Sequence, residues 1–258
     1  MAISYTGCLT LGGCLAIATA LSLPAHADDD IDFDDTFNAL DHRTEKGFEG
    51  SAEFGYTRLT GNSDSETLLS KGTGTWYDDA WSYSLHGEAT SASEDGEQSA
   101  EEYIAAGRTR YNLDDRNYLF GVVRWDKDRF SGYDSQTTLA GGYGRQLLEG
   151  PVHTLSLEGG PGLRHDVYDD GDVKNLALAY GAVNYKWQVS DTAAFTEGVV
   201  GEATDENVIG RSETALQVAI NQTLSLKVAY QVEHNTNPPS DAESKTDTRT
   251  AVSLVYGL

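Results

Sequence analysis

Residues Leu224-Ser225-Leu226-Lys227-Val228-Ala229-Tyr230-Gln231-Val232-Glu233 alternate apolar with polar or small side chains over ten positions. A period of two belongs to a β-strand, which sends successive side chains to opposite faces. One face here is apolar throughout, and the other carries Lys227 and Glu233. Val252, Leu254, Tyr256 and Leu258 repeat the pattern against Ala251, Ser253, Val255 and Gly257. Trp81, Tyr83 and Leu85 do so against Ser82, Ser84, His86 and Glu88. Leu155, Leu157 and Leu163 share a parity opposite to Ser156, Glu158 and Arg164.

Working outward gives twelve such segments, at about 48–59, 66–77, 80–91, 100–112, 117–128, 135–148, 152–166, 174–189, 192–203, 208–220, 223–235 and 246–258. Near Gly181-Ala182 the apolar set moves from even to odd positions, which predicts a β-bulge. Tight turns such as Asp78-Asp79 and Asn221-Gln222 alternate with longer polar connections such as Thr60–Ser65, Ser93–Ser99 and Thr236–Lys245. Short turns at one end and longer loops at the other are the pattern of an outer-membrane barrel. The fold class read from this is all-β: a transmembrane up-and-down antiparallel β-barrel of about twelve strands, with ten as the alternative.

Periodicity alone does not say which face looks inward, because a soluble barrel alternates in the same way. Three features decide. Twelve strands of this length enclose a lumen too wide for apolar side chains to fill. The non-apolar parity carries Glu49, Glu53, Lys71, Glu88, Arg108, Arg110, Arg124, Asp126, Glu158, Arg164, Arg211, Glu213, Lys227, Glu233 and Arg249. So many charges suit a wet or paired lumen, not a dry core. Aromatics flank the short turns: Trp76, Tyr77, Trp81, Tyr83, Tyr111, Tyr118, Trp187 and Phe195, as in the interfacial girdle of a barrel in lipid.

Composition narrows the partners. There are 41 Asp and Glu against 18 Lys and Arg, a formal net charge of −23. Such a chain has no basic stripe to neutralise phosphates, so no nucleic-acid partner is expected. Residues Leu11 to Leu23 form a short apolar run, followed by Pro24, Ala25-His26-Ala27 and then Asp28-Asp29-Asp30. This reads as a secretory signal over 1–27 that is removed on export, although no Lys or Arg precedes the apolar run. Cys8 and Cys14 both lie in it, so the mature chain has no thiol chemistry. Leu11-Gly12-Gly13-Cys14 is only loosely a lipoprotein box, since the run after Cys14 stays mostly apolar. Residues 28–46 hold eight acidic and two basic side chains and read as an acidic periplasmic leader ahead of a barrel at 47–258. The location expected is the outer membrane of a Gram-negative bacterium, as a monomer surrounded by outer-membrane lipid. The terminal segment to Tyr256-Gly257-Leu258 is the expected signal for the barrel-insertion machinery.

Several stretches carry a resemblance. Gly55-Tyr56 with Thr60-Gly61-Asn62-Ser63-Asp64-Ser65 resembles a strand and first loop of the YdiY-like salt-induced outer-membrane protein family, a domain of unknown function. Tyr118-Leu119-Phe120-Gly121 leading to Asp128-Arg129-Phe130-Ser131-Gly132-Tyr133-Asp134 is similar to it, as are Gly142-Tyr143-Gly144, Asn235-Thr236-Asn237-Pro238-Pro239 and Lys245-Thr246-Asp247-Thr248. The resemblance spans about 48–258. It implies an outer-membrane barrel and assigns no activity and no site residue.

The search for chemistry returns little. His42, His86, His153, His165 and His234 include no i, i+4 pair, which argues against zinc. His86 with Ser82 or Ser84 is a hydrolase candidate by parity only, so no enzyme is expected. Asp169-Asp170-Gly171-Asp172 and Glu94-Asp95-Gly96-Glu97 are candidate divalent-cation loops, but solvated surface is the preferred reading, and neither metal nor cofactor is expected. The inward arginines form either an anion-selectivity ring or, paired with inward acids, a plug, and the plug is preferred. The functions weighed are a structural or osmotic-adaptation barrel first and a narrow pore for ions or small solutes second. An outer-membrane enzyme comes third.

Overall fold

The alternating segments do form strands. A computed structural model describes residues 46–258 apart from 60–64, 96, 130 and 240–243. The expected signal (1–27) and the leader (28–46, save Lys46) lie outside the described residues. Twelve strands follow in order: β1 (Gly47–Leu59), β2 (Ser65–Asp78), β3 (Trp81–Glu94), β4 (Glu97–Asn112), β5 (Asn117–Asp128), β6 (Tyr133–Leu148), β7 (His153–Tyr168), β8 (Val173–Ser190), β9 (Ala193–Ala203), β10 (Val208–Ala219), β11 (Leu224–Asn235) and β12 (Thr246–Gly257). Each pairs antiparallel with its sequence neighbours, and β1 pairs with β12, so the sheet closes as an up-and-down barrel. Closure lets a sheet sit in lipid, where unpaired backbone groups have no water to turn to.

The inside-out assignment holds along the strands. Leu226, Val228 and Tyr230 lie outside, while Ser225, Lys227 and Ala229 are buried within. Phe54, Leu85 and Leu163 are about 60% exposed on the outer face. In water each such side chain forgoes about 1.5–3 kcal/mol of burial, and acyl chains restore it. Trp76, Trp81, Tyr83 and Trp187 belong to the outer girdle at the short-turn end. Tyr77 and Tyr118 correct that expectation: both are buried inside the barrel, because their parity is that of Thr75 and Phe120.

Three other expectations change. There is no bulge at Gly181-Ala182: Tyr180, Gly181 and Ala182 pair without a break with Gly160, Gly159 and Glu158. The apolar set switches face because the inside of β8 is apolar in its first half, at Leu176, Leu178, Tyr180 and Ala182, and polar further on, at Asn184. Leu178, Tyr180 and Ala182 join Tyr118, Phe120, Val122, Ala140 and Val200 in an apolar cluster inside the barrel. The lumen is thus not ionic all round, and one wall packs as a small core. Nor are the loops at the far end long. β3 and β4 run on to Glu94 and Glu97, and the β5–β6, β7–β8 and β9–β10 connections are four residues each, so the strands supply the extra length. Between β11 and β12 the connection is longer, ten residues from 236 to 245.

Turn chemistry explains the tight ends. Asp79 and Asp95 take positive φ of 51° and 50°, which Asp tolerates better than most residues. Between β4 and β5, one Asp114 carboxylate oxygen accepts the backbone N–H of Arg116 at 2.9 Å and of Asn117 at 2.8 Å. The Asn117 side-chain amide donates to both oxygens at 2.8 Å. These bonds, the Asn117 side chain first, hold the Asp114 carboxyl below its ordinary pKa. A lowered carboxyl adds stability at neutral pH that fades as pH falls through the lowered value. Asp114→Ala is therefore expected to lower the urea midpoint of unfolding at pH 7 and to lower it less at strongly acid pH. Equal loss at both would refute the role.

Candidate functional site: the charged lumen

Alternation turns the polar parity of every strand inward, and closure brings distant strands face to face. Lys227 (β11) lies 2.7 Å from Glu213 (β10) and 3.5 Å from Glu53 (β1). Lys71 (β2) lies 3.3 Å from Glu88 (β3) and 3.5 Å from the same Glu213. Ser253 donates to Glu53 at 2.5 Å, and the Gln231 amide also donates to Glu213, at 2.5 Å. Glu213 is therefore the hub of a buried cluster of two lysines and three glutamates. Its bond to Lys71 joins β2 to β10, four places apart round the barrel.

A second bridge crosses elsewhere. Arg108 (β4) pairs with Glu158 (β7), both side chains almost fully buried. Its guanidinium stands 5.7 Å from the Phe120 ring centroid, over the edge of the apolar cluster. Towards the short turns Arg110 stacks at 3.8 Å on the ring of Tyr118, and its Nε donates to Asn112 at 2.6 Å. Glu49, expected in the ionic set, accepts a hydrogen bond from Tyr77 at 3.3 Å.

Towards the loops lies a third layer. Arg249 (β12) reaches Glu88 at 3.0 Å and also pairs with Glu102 on β4, again four places away. Arg124 pairs with Asp126 on its own strand. Arg211 lies 2.8 Å from Glu233 and 3.2 Å from Glu202. Arg164 holds Asp166 at 3.1 Å and donates to Asn207 at 2.6 Å. Above the lysine cluster a cavity of about 440 Å³ is lined by Glu88, Glu102, Arg124, Asp126, Arg211, Glu213, Glu233 and Arg249, among others.

Of the fifteen inward charged residues singled out from the sequence, thirteen enter the ion pairs described above, Arg124 with an acid of its own strand; Arg110 instead stacks on the Tyr118 ring and Glu49 accepts from Tyr77. Sequence reading missed Glu102, Asp166 and Glu202, although Asp166 shares the parity of Arg164 and Glu102 that of Arg108. The acidic loop candidate does not gather. Asp170 accepts the backbone N–H of Asp172 at 3.0 Å in a turn where Gly171 has φ of 89°, and among the described residues no three His, Cys, Asp or Glu converge on a metal position. Asp169, Asp170 and Asp172 thus form a surface turn. His86 lies inside, with Nδ1 2.9 Å from the Thr73 hydroxyl and Nε2 3.8 Å from Glu88. Ser84 accepts a hydrogen bond from Thr75 at 3.1 Å, and the Ser82 hydroxyl has no partner among the described residues.

Twelve antiparallel strands closed on themselves, apolar outside and bridged by ionic side chains within, define a β-barrel of the outer-membrane type. The barrel is similar to the COG4313 outer membrane channel from Pseudomonas putida F1, with a TM-score of 0.53 at 10% identity over 89% of this chain and 100% of that one, a likeness of fold alone. The chain belongs to the family described as "Protein of unknown function, DUF481", whose model matches residues 52–258. It is 43% identical over 239 residues to the uncharacterized protein YdiY of Escherichia coli (strain K12), covering 92% of each chain.

Proposed function

We propose that the protein is exported by its first 27 residues and resides as a monomer in the outer membrane of a Gram-negative bacterium. Its barrel is held shut by its own side chains. The observation that carries this reading is the pair of chords through Glu213 and Arg249, each joining strands four places apart. Side chains that meet across a lumen obstruct it, so the role is structural, in envelope or osmotic adaptation, rather than bulk permeation. Outer-membrane lipid covers Phe54, Leu85 and Leu163, and β12 presents Val252, Leu254 and Tyr256 outward for recognition by the insertion machinery. No enzymatic role and no nucleic-acid partner enter this reading.

Refolded full-length protein in a planar bilayer is expected to stay silent at neutral pH. Glu213→Ala removes the hub shared by Lys71 and Lys227 and is expected to give discrete conductance steps. A steadily conducting wild-type protein would overturn the closed reading in favour of the second one, a narrow pore. That alternative draws on the cavity, whose lining holds Glu88, Glu102, Asp126, Asp128, Glu213, Glu233 and Asp247 beside Arg124, Arg211 and Arg249, with Lys71 and Lys227 paired to Glu88 and Glu213. Such a lining predicts cation over anion selectivity.

A further inference from the structure

One carboxylate faces the lipid instead of the lumen. β9 turns Ala194, Thr196 and Val200 inward, so Phe195, Glu197 and Val199 look outward. In the ladder Glu197 stands between Tyr185 of β8 and Thr214 of β10, which share its outward face. Val199 and, on the next strands, Leu216 and Tyr230 are exposed on the same side. The Thr214 hydroxyl donates to one Glu197 oxygen at 2.5 Å. The Tyr185 hydroxyl is hydrogen-bonded to His153 Nδ1 at 3.0 Å instead. Other outward acids have a base: Asp78 has Lys46, Asp134 has Lys127 and Glu101 has Arg129. No basic side chain among the described residues pairs with Glu197. Lys186, next to Tyr185 in sequence, has the inward parity of Asn184.

Its depth is that of a lipid headgroup. Phe195 pairs with Trp187 in the short-turn belt, and Glu197 is the next outward position. For a tilted strand this sets it about 5 Å inside the belt, where headgroups meet acyl chains. A carboxylate there has little water and no base of its own, so it favours a cation that comes with the membrane. One carboxylate and a hydroxyl are too few oxygens for a divalent ion. They suit an ammonium, which is compact and offers three N–H donors. Further from the belt, Gly181, Gly201 and Gly210 stand in register on β8, β9 and β10 with the same outward parity. A Cβ on Gly201 or Gly210 would meet nothing within 4 Å. The wall is bare backbone there and leaves a shallow channel for an acyl chain. The carboxylate and the channel thus lie in the order of head and tail in the leaflet beside the short turns.

We infer that the outer face of β8–β10 is a binding site for a phospholipid with a primary ammonium head, the ammonium on Glu197 and a tail along the glycine channel. This rests on the outer-membrane reading above. The test is native mass spectrometry of the full-length protein released from detergent micelles, with phosphatidylethanolamine, phosphatidylcholine and phosphatidylglycerol offered in equal amounts. The first phosphatidylethanolamine is expected to bind at least about tenfold more tightly than either of the others, because only its head carries ammonium N–H donors. Glu197→Gln is expected to abolish that preference, and Glu101→Gln, whose carboxylate is held by Arg129, to keep it. The mobility shift between folded and heat-denatured protein on a gel checks that both variants fold. No preference in the wild-type protein, a preference that survives Glu197→Gln, or one lost in Glu101→Gln would each overturn the site. So would a dimer that forms without lipid and is lost in Glu197→Gln, since a second copy would then hold the carboxylate. Failure of the underlying reading looks different: the protein would stay in solution without detergent.

Discussion

Arg108→Ala is expected to cost the folded barrel about 3–5 kcal/mol, because it leaves the Glu158 carboxylate buried without its counter-charge. The measurement is urea unfolding in detergent micelles, followed by the shift between folded and heat-denatured mobility on a gel. Removing both charges with apolar side chains of similar volume, Arg108→Met with Glu158→Leu, is expected to recover most of the loss, since a dry pair often gains little over apolar packing. This site favours such a repair, because Arg108 already borders Phe120 and the apolar cluster. If the single variant unfolds within about 0.5 kcal/mol of the parent, the bridge is ornamental.

Gly142→Val is expected to prevent barrel formation altogether, a loss beyond the roughly 1–3 kcal/mol of ordinary overpacking. A Cβ on Gly142 would lie 2.7 Å from the Gly160 Cα and overlap the Gly159 carbonyl oxygen, and a Cβ on Gly160 would overlap the Gly141 carbonyl in the same way. Both obstacles are backbone, so no rotamer change relieves them. Between Ala140↔Gly162 and Tyr143↔Gly159 the regular pairing of β6 and β7 lapses, and Pro161 has no N–H to give to that ladder. Glycine on both strands is what lets the chains cross this stretch so closely. Gly72→Ala and Gly210→Ala serve as controls: nothing lies within 4 Å of the added carbon, so a change within about 0.5 kcal/mol is expected. A well-folded Gly142→Val protein would show that this close approach is not required.

Much of the barrel is legible from alternation, because a strand has only two faces and a charge on one of them names it. Lys227, Glu233 and Arg249 lie inside for that reason, and Leu226 and Val228 outside. The same rule would have placed Tyr77 and Tyr118 inside, where proximity to a turn suggested a girdle instead. The shift of the apolar set near Gly181 suggested a bulge because an outward apolar face was assumed throughout. The register shows an unbroken strand whose interior changes from greasy to polar.

Composition and periodicity by themselves pointed to an antiparallel barrel of about twelve strands and to most of the charged residues that face the lumen, since alternation is a local property of each strand. Only the tertiary structure decided who meets whom across that space. Lys71 meets Glu213 and Arg249 meets Glu102 because closure and stagger bring together positions 142 and 147 residues apart, a distance no short-range pattern records. The pairing of β1 with β12, from Ser51↔Gly257 to Gly55↔Ser253, is of the same kind: it depends on how the two ends of one sheet come round to each other.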